Sequence, residues 1–311
     1  MYLGIDTSNY TTSVAAFDGR DGVNRSRLLD VAPGQLGLRQ SDALFSHVKR
    51  LPVLMEQLFS SVFPGEIQAV AVSTRPRAVE GSYMPCFLAG ESVARSAAHL
   101  LSVPLFTVSH QQGHIAAALF ATGRTELFAG ESLVFHVSGG TTDLLLCQGA
   151  QEITPLGTSS DLYAGQAVDR LGVKLGYPFP AGAYVSEQAA LCPERIRPKA
   201  SVQGQNCSLS GLENQCAQLL AQGKDAPYVC KYCLLCIAET LVRMARAALQ
   251  QRPGLPVVFA GGVMSSELIR AYVTRRVPGA CFVPGKYASD NAIGVSILAA
   301  REVGAWPTTS A

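Results

Sequence analysis

The stretch LVFHVSGGTTDLLLC, residues 133–147, decides the fold, because two apolar runs flank a short turn of small and hydroxylated residues. The runs Leu133–Val137 and Leu144–Cys147 predict two strands, joined by the turn Ser138–Asp143. Adjacent glycines allow backbone N–H groups to approach a phosphate, hydroxyls add donors, and the carboxylate can hold a metal or a water molecule. The stretch therefore predicts either a phosphate-binding hairpin or a plain glycine-containing one, and no GxxxxGK[ST] loop occurs in the chain.

A second hairpin of the same kind opens the chain, with strands predicted at Tyr2–Ile5 and Ser13–Phe17 and a polar turn at Asp6–Thr12. After each hairpin the pattern predicts a third short strand and then alternating helices and strands. The predicted helices are 41–60, 84–101, 162–175, 209–222, 229–251, 265–275 and a last one from residue 289, and the predicted strands are 69–73, 105–108, 257–260 and 281–283. This order, occurring twice, indicates a duplicated domain built on mainly parallel sheets with helical crossovers.

The duplicated order is the plan of actin, hexokinase and Hsp70, so the predicted fold class is α/β, a duplicated actin-like ATPase (ASKHA) fold. We expect an N-terminal lobe at 1–125, a C-terminal lobe at 126–311 whose last helix returns to the cleft, and a central nucleotide and metal cleft. A third turn, Ala260–Val263, places two glycines between a strand and a helix. It predicts contact with an adenine or ribose, or else close helix–strand packing, and the sequence leaves both open.

Bulk composition limits the class of protein. The 311 residues are 48% hydrophobic and 15% charged, which is typical of a buried α/β enzyme and excludes a disordered chain. A net charge of +2 does not by itself indicate a nucleic-acid-binding protein. No apolar run reaches the about 18 residues of a membrane span, and the start shows no signal-peptide pattern. We therefore expect a cytoplasmic protein with reduced cysteines and no membrane contact.

Two histidines, His110 and His114, lie four residues apart directly after an apolar strand. On a helix this spacing places both imidazoles on one face, where they can bind one ion. Zinc and ferrous iron suit such a pair when one or two oxygen ligands come from elsewhere. Asp290 is predicted to start a helix, and spacing alone leaves it a first-turn acid. His47, in a helix flanked by basic residues, is predicted to lie at the surface or in the cleft.

The cysteines Cys230, Cys233 and Cys236 have the spacing of an iron–sulfur or zinc motif. The run continues without glycine or proline into IAETLVRMARAALQ, which has the apolar period of a helix. We interpret the three thiols as buried packing groups of that helix, and whether they bind a ligand is not decided by the sequence.

Seven motifs, in one order from residue 1 to about residue 300, resemble those of the TsaD/Gcp family. This is the family of tRNA N6-adenosine threonylcarbamoyltransferases, formerly called glycoproteases. The motifs are GIDTSNYTTSVA, HQQGH, HVSGGTTDLLL, AGQAVDRLGVKLGYPFPAG, NCSLSGLEN, AGGVMSSELIR and ASDNAIG.

The resemblance implies roles for individual residues. A divalent metal, ferrous iron or zinc, would be bound by His110, His114 and Asp290. The substrate or nucleotide, threonylcarbamoyl-AMP or an ATP/AMP-type nucleotide, would be bound by Val137, Ser138, Gly139, Gly140, Thr141, Asp169, Gly182, Gly261, Gly262 and Ser266. The implied reaction is threonylcarbamoyl transfer to N6 of the tRNA adenosine next to the anticodon, in company with a paralogue as heterodimer and a small ATPase. No catalytic residue beyond the metal site is assigned, and no Ser-His-Asp arrangement supports a protease.

Several positions depart from the family pattern. Acidic residues are replaced by Asn9, Tyr10 and Thr11, glutamates by Gln112 and Gln166, a histidine by Thr141, a glutamine by Asp143 and an asparagine by Ser266. Three hypotheses therefore stand: a divergent transferase of the family, a paralogue that carbamoylates or phosphorylates another acceptor, and a non-catalytic partner subunit of the tRNA-modifying complex. The retained metal triad disfavours the third hypothesis.

Overall fold

A computed structural model describes residues 1–8, 10–30, 38–288 and 291–305 of the chain. The first elements are β1 (Tyr2–Ser8), β2 (Thr11–Phe17), β3 (Gly22–Leu28), α1 (Gln40–Phe59), β4 (Ala69–Arg75), α2 (Phe87–Leu101), β5 (Leu105–Ser109) and α3 (His110–Ala121). They are followed by β6 (Glu131–Val137), β7 (Thr142–Gln148), β8 (Glu152–Thr158), α4 (Ala164–Lys174), α5 (Gly182–Leu191), β9 (Ser201–Gln203), β10 (Asn206–Ser208) and α6 (Ser210–Ala221). The last are α7 (Ala226–Gln251), β11 (Val257–Ala260), α8 (Glu267–Thr274), β12 (Ala280–Phe282), α9 (Gly285–Ala288) and α10 (Ile293–Glu302).

The chain divides into two compact units. The first unit comprises Met1–Gly130, Gln148–Ile153 and Ser289–Ala311, and the second comprises Glu131–Cys147 and Thr154–Ala288. Each is built on one five-stranded sheet, with the order β3-β2-β1-β4-β5 in the first and β8-β7-β6-β11-β12 in the second. Strands of the same rank along the chain occupy the same positions in the two sheets, which confirms the predicted duplication. No helix in the described part of the chain is both long and apolar enough to span a membrane.

The sheets are mixed, and the prediction of mainly parallel sheets is wrong in this respect. In the first sheet β1 and β4 are parallel, as are β4 and β5, because the chain enters β4 through α1 and enters β5 through α2, and helical crossovers allow parallel pairing. The pairs β1–β2 and β2–β3 are antiparallel, because short turns connect them. Two of the four strand pairs in this sheet are therefore parallel and follow helical crossovers, and the other two are antiparallel and follow short turns.

The first hairpin is longer than predicted. The sequence indicated a polar turn at Asp6–Thr12, but β1 continues to Ser8 and β2 begins at Thr11, with Asp6 opposite Ser13. Threonine is β-branched and favours strands, and both strands are buried along their whole length. Asp6 therefore lies inside the sheet, with only 2% of its surface exposed, and does not lie in a turn.

The C-terminal helix α10 packs at backbone contact distance on β1 and α3. A Cβ atom added to Gly294 would lie 1.8 Å from the carbonyl oxygen of Gly113 in α3. One added to Gly4 in β1 would lie 2.5 Å from the carbonyl oxygen of Ala292. Only glycine fits at such approaches, so these residues hold α10 against the strand that carries Asp6 and the helix that carries the histidine pair.

Helix α1 presents a fully buried histidine to the same hairpin. The His47 side chain has no exposed surface, and its Nδ1 lies 2.8 Å from Thr12 Oγ1. Burial lowers the pKa of His47 to about 4, although the nearby Asp6 charge acts in the opposite direction. The prediction of a surface or cleft position for His47 is therefore wrong, because the helix turns this ring toward the sheet.

We expect His47 to make the free energy of unfolding depend on pH. The unfolded histidine takes up a proton near its ordinary pKa of 6.5, whereas the folded one does so only near 4. The contribution of His47 to the free energy of unfolding is therefore complete above pH 6.5 and is lost as the pH falls toward 4. The total loss is about 3 kcal/mol at most. Denaturant unfolding across this window should show a weaker pH dependence for His47→Gln than for wild type. The exposed His99→Gln variant should keep the wild-type slope, and equal slopes for His47→Gln and wild type would contradict this assignment.

Candidate active site

Helix α3 brings the two predicted metal-binding histidines together. His110 is its first residue and follows directly on β5, and Ser109 caps the helix. The Nε2 atoms of His110 and His114 are 2.9 Å apart, and the two ring centroids are 4.3 Å apart at an angle of 77°. Both rings lie on one face of the helix, as the spacing predicted, and their Nε2 atoms converge on one point.

Gln112, which replaces the central glutamate of the family motif, is a capping residue. Its Oε1 accepts hydrogen bonds from the backbone N–H of Ser109 at 2.8 Å and from the Ser109 hydroxyl at 3.0 Å. Its Nε2 donates to the carbonyl oxygen of Gln151 at 3.1 Å. A glutamate can also accept at this cap but has no N–H to donate, so the amide retains the capping box and adds one contact.

A buried carboxylate faces the other side of the His110 ring. Asp6 Oδ2 lies 2.6 Å from His110 Nδ1, and Asp6 Oδ1 accepts a hydrogen bond of 2.7 Å from the hydroxyl of Ser73 in β4. The ring of Phe87 lies beside the imidazole, with centroids 6.3 Å apart. Sequence reasoning assigned Asp6 no role, and the available signal was a carboxylate next to a strongly apolar run.

The donor set of the histidine pair fits a zinc or ferrous ion. Two imidazole nitrogens that converge at the surface of a helix are the ligands these ions prefer. Among the described residues no group of three or more His, Cys, Asp or Glu side chains could hold a metal by itself. Asp290, the implied third ligand, lies outside the described residues. Two residues further on, the N–H of Ala292 donates to Asn24 Oδ1 at 3.1 Å.

The β6–β7 turn in the second unit has the open backbone that a phosphate requires. The N–H of Ser138 donates to the carbonyl oxygen of Thr141 at 2.8 Å, which closes the turn, and the N–H of Gly140 lies 3.2 Å from Ser138 Oγ. A Cβ atom added to Gly139 or Gly140 would meet no atom within 4 Å. The turn therefore leaves space above both glycines.

Two glycines from other elements support this turn from behind. A Cβ atom on Gly165 of α4 would lie 2.6 Å from the backbone nitrogen of Gly139. One on Gly261 would lie 2.2 Å from the carbonyl oxygen of Val137, and Gly261 has a φ angle of +102°. The sequence left Gly261 open between ligand contact and packing, and its contact with Val137 is one of packing. A Cβ atom added to the neighbouring Gly262 would meet no atom within 4 Å, so the space above this glycine is open.

Two hydroxyls at these turns are buried without a hydrogen-bond partner. Within the described residues, Thr141 Oγ1 and Ser266 Oγ have neither a donor nor an acceptor in range. Ser266, which precedes α8, is only 7% exposed. An unsatisfied buried polar group costs about 1–3 kcal/mol, and functional sites are where such groups are tolerated. Both residues were predicted to bind the nucleotide or substrate.

The remaining predicted binding residues connect α4 with α5. Asp169 Oδ1 accepts a hydrogen bond of 2.8 Å from the N–H of Ala181, directly before Gly182 begins α5. Gln166 Oε1 accepts a hydrogen bond of 3.2 Å from the N–H of Tyr163. The glutamine that replaces the family's glutamate here is therefore a capping residue of α4, as Gln112 is of α3. The carboxylate of Asp143 accepts a hydrogen bond of 2.7 Å from Thr158 Oγ1.

A further carboxylate, Asp161, organises the segment that precedes α6. It accepts hydrogen bonds from the hydroxyls of Ser208 and Ser210, both at 2.6 Å, and from the N–H of Leu209 at 2.8 Å. Partial burial alone would raise the pKa of Asp161, but these hydrogen bonds lower it well below its ordinary value. Asp161 is a structural anchor that the sequence analysis did not single out.

The three clustered cysteines are packing groups of α7, as interpreted from the sequence. Cys230, Cys233 and Cys236 are each at most 1% exposed. Burial raises the pKa of Cys230 to about 12 and that of Cys236 to about 11, so both remain protonated thiols at neutral pH.

Comparison with known proteins assigns the family. The family model described as TsaD, tRNA N6-adenosine threonylcarbamoyltransferase, matches residues 37–296. The protein of that name from Pyrobaculum calidifontis is 28% identical over 304 residues, which cover 96% of this chain and 86% of the relative.

Solved structures share the fold. HypF from T. kodakarensis matches with a TM-score of 0.64 and 12% identity, over 99% of this chain and 48% of that one. The activator of 2-hydroxyisocaproyl-CoA dehydratase from Clostridium difficile, with bound ADPNP, matches with a TM-score of 0.54 and 13% identity, over 97% and 95%. At these identities the likeness concerns the fold alone, and it confirms the α/β, actin-like (ASKHA) class. With a family match that spans most of its length, the chain belongs to the TsaD family of transferases.

Proposed function

We propose that this protein transfers a threonylcarbamoyl group from threonylcarbamoyl-AMP to N6 of the tRNA adenosine next to the anticodon. The observation that carries the proposal is the pair His110 and His114, whose Nε2 atoms converge at 2.9 Å in a chain that belongs to this family. A non-catalytic subunit has no use for such a pair, so the third hypothesis of the sequence analysis is the weakest.

The metal ligands would be His110 and His114, with Asp290 as the third, and the ion would be zinc or ferrous iron. When bound, the metal would supply a Lewis acid for the phosphate and carbonyl oxygens of the substrate. The chain immediately after Asp290 supports its inclusion, because Ala292 lies against Gly4 of β1, two residues before Asp6.

The substrate phosphate would be bound by the β6–β7 turn, at Val137, Ser138, Gly139, Gly140 and Thr141. The open backbone above the two glycines and the unpartnered hydroxyl of Thr141 support this assignment. The ribose and adenine would be bound by the groups implied by the resemblance, which are Asp169, Gly182, Gly261, Gly262 and Ser266. Of these, Gly262 is open and Ser266 has an unpartnered hydroxyl, whereas Gly261 would act by bringing its turn against Val137.

The chemistry requires positioning and charge stabilisation, without a covalent nucleophile. The carbonyl carbon of the adenylate is already activated, so the N6 amine attacks it directly. A carbon–nitrogen bond forms, the bond from that carbon to the phosphate oxygen breaks, and AMP leaves with the electron pair while the N6 proton passes to solvent. Donors fixed in the β6–β7 turn would stabilise the negative charge that collects on the departing phosphate.

A second candidate is a paralogue that carbamoylates or phosphorylates another acceptor, using the adenylate or ATP. The observation that favours it is the loss of acidic residues from the first hairpin, where Thr11 is paired in β2. The changes at Gln112 and Gln166 do not favour it, because both amides retain the capping contacts of a glutamate. The choice between the candidates therefore depends on the acceptor.

The transfer reaction tests the proposal directly. We expect metal-loaded protein, incubated with threonylcarbamoyl-AMP and unmodified tRNA, to form N6-threonylcarbamoyladenosine, measured by mass spectrometry of the nucleosides. The assay is run with and without the paralogue and the small ATPase that the family resemblance implies. His110→Ala should lower the yield about 100-fold or more, because a metal-ligand pair loses one member.

The exposed His99→Ala variant serves as the matched control and should retain wild-type yield. A protein that binds metal but forms no product, beside an active enzyme of the family, would contradict the tRNA assignment. That outcome would favour the paralogue with another acceptor.

The two unpartnered hydroxyls generate a second test. We expect Thr141→Val and Ser266→Ala each to weaken binding of AMP by about tenfold, because a hydrogen bond to a charged or polar ligand group is worth about 1.5 kcal/mol. The melting temperature of the free protein should stay unchanged or rise, because the lost hydroxyl had no partner in the fold. Calorimetric titration with AMP and thermal unfolding measure the two effects.

Thr142→Val provides the contrast within the same turn. Thr142 Oγ1 donates to the carbonyl oxygen of Thr141 and accepts from the N–H of Ala164, both at 2.9 Å, so its removal should lower the melting temperature. If Thr141→Val destabilised the free protein as much as Thr142→Val does, or left AMP affinity unchanged, the assignment of Thr141 would be wrong.

A further inference from the structure

The Asp6 carboxylate is the one charged group of β1, and both of its oxygens are engaged. Oδ1 accepts from the hydroxyl of Ser73, and Oδ2 lies 2.6 Å from His110 Nδ1. The carboxylate is 2% exposed and Ser73 is fully buried, so solvent does not compete for these contacts. A chain of hydrogen bonds thus runs from β4 through β1 to the first residue of α3.

We infer that Asp6 is a positioning residue for the metal centre: it holds the proton of His110 on Nδ1 and orients the ring so that Nε2 presents its lone pair to the ion. A carboxylate on the far nitrogen of a metal-binding histidine fixes the tautomer and raises the basicity of the ligating nitrogen. This role rests on the metal site of the proposed function and concerns a residue outside the three implied ligands.

The geometry separates this role from direct coordination. The ion would lie at the point where the Nε2 atoms of His110 and His114 converge, on the opposite edge of the His110 ring from Asp6 Oδ2. The other oxygen of Asp6, Oδ1, accepts a hydrogen bond from the Ser73 hydroxyl of β4. Oδ2 is held by His110 Nδ1 and Oδ1 by Ser73, so either oxygen would have to break a short contact to reach the ion.

A purely structural role is the main alternative. The attachment of α3 to the rest of the first unit does not need Asp6, because α3 follows directly on β5 and packs against α10 through Gly113 and Gly294. What Asp6 adds is a fixed orientation of one ring, which the neighbouring side chain of Phe87 supports. The effect of removing the charge should therefore appear at the histidine and leave the fold intact.

The test uses Asp6→Asn, which keeps the size of the side chain and removes its charge. Affinity of the full-length protein for Co²⁺ is measured by competition with a chromophoric chelator, and the visible spectrum of bound Co²⁺ reports the number and type of ligands. In metal-free protein labelled with ¹⁵N-histidine, long-range ¹H–¹⁵N spectra report which nitrogen of His110 carries the proton.

We expect Asp6→Asn to bind Co²⁺ about 10- to 100-fold more weakly than wild type, with an unchanged Co²⁺ spectrum and with loss of the single Nδ1–H tautomer of His110. Ser73→Ala, which frees one oxygen of Asp6, should show a smaller change in the same direction. Asp161→Asn is the matched control, because it removes an equally well bonded carboxylate from the second unit and should leave Co²⁺ affinity unchanged.

Three results would overturn the inference. One is unchanged Co²⁺ affinity and tautomer in Asp6→Asn, which would make the contact structural. Another is a Co²⁺ spectrum with a different ligand number, which would make Asp6 a direct ligand. The last is wild-type protein that binds no Co²⁺. None of these measurements involves tRNA or the adenylate, so the inference can stand where the proposed transfer fails.

Discussion

Strand β1 is buried on both faces and lies in the middle of its sheet, so solvent cannot satisfy its polar side chains, and Asp6 and Thr7 find their partners inside the protein. Asp6 is satisfied by Ser73 and His110. Thr7 Oγ1 donates to the carbonyl oxygen of Cys86 and accepts from the N–H of Gly90, where a side chain would collide with it. These contacts fix the positions of β4, α2 and α3 relative to β1. Because an unpaired buried group costs about 1–3 kcal/mol, and a charge more, the placement of the histidine pair follows from the same requirement that holds the sheet together.

The two units share one strand order but differ at the turn of their leading hairpin. In the first, the residues around the hairpin are drawn into the ladder, and the pairing Ser8 with Thr11 leaves almost no turn. In the second, the corresponding turn stays open, since Gly139 and Gly140 make no close contact above their Cα atoms. The difference has a simple cause. Threonines pair well in strands, whereas consecutive glycines weaken a strand and favour a turn. The first unit therefore offers imidazoles from a helix, and the second offers backbone N–H groups from a turn.

Much of the fold was accessible from the sequence, because long helices with apolar periodicity and buried strands carry strong patterns. The helix predicted at 229–251 is α7, and the strand predicted at 257–260 is β11. Helix α5 was missed because its sequence, GAYVSEQAAL, is short and has little contrast between its faces, and β9 and β10 have only three residues each. The histidine pair was found because its spacing is local. The contact of Asp6 with His110 joins residues 104 apart, and no periodicity reports such a contact. The cap formed by Gln112 was readable, since Ser109 followed three residues later by glutamine is a capping-box pattern.

The two glutamine replacements are best understood as changes of charge at constant geometry. Gln112 and Gln166 each use Oε1 to accept the backbone hydrogen bond that a carboxylate would accept at the same cap. What is lost in each case is one negative charge in the first turn of a helix. For Gln166 this turn adjoins the candidate phosphate site, because the next residue toward the N-terminus, Gly165, packs against Gly139. A carboxylate there would repel an anionic substrate, and the amide removes that repulsion without loosening the helix start. Both departures from the family pattern therefore keep the capping contacts formed, and the one at Gln166 also removes a negative charge beside the candidate phosphate site.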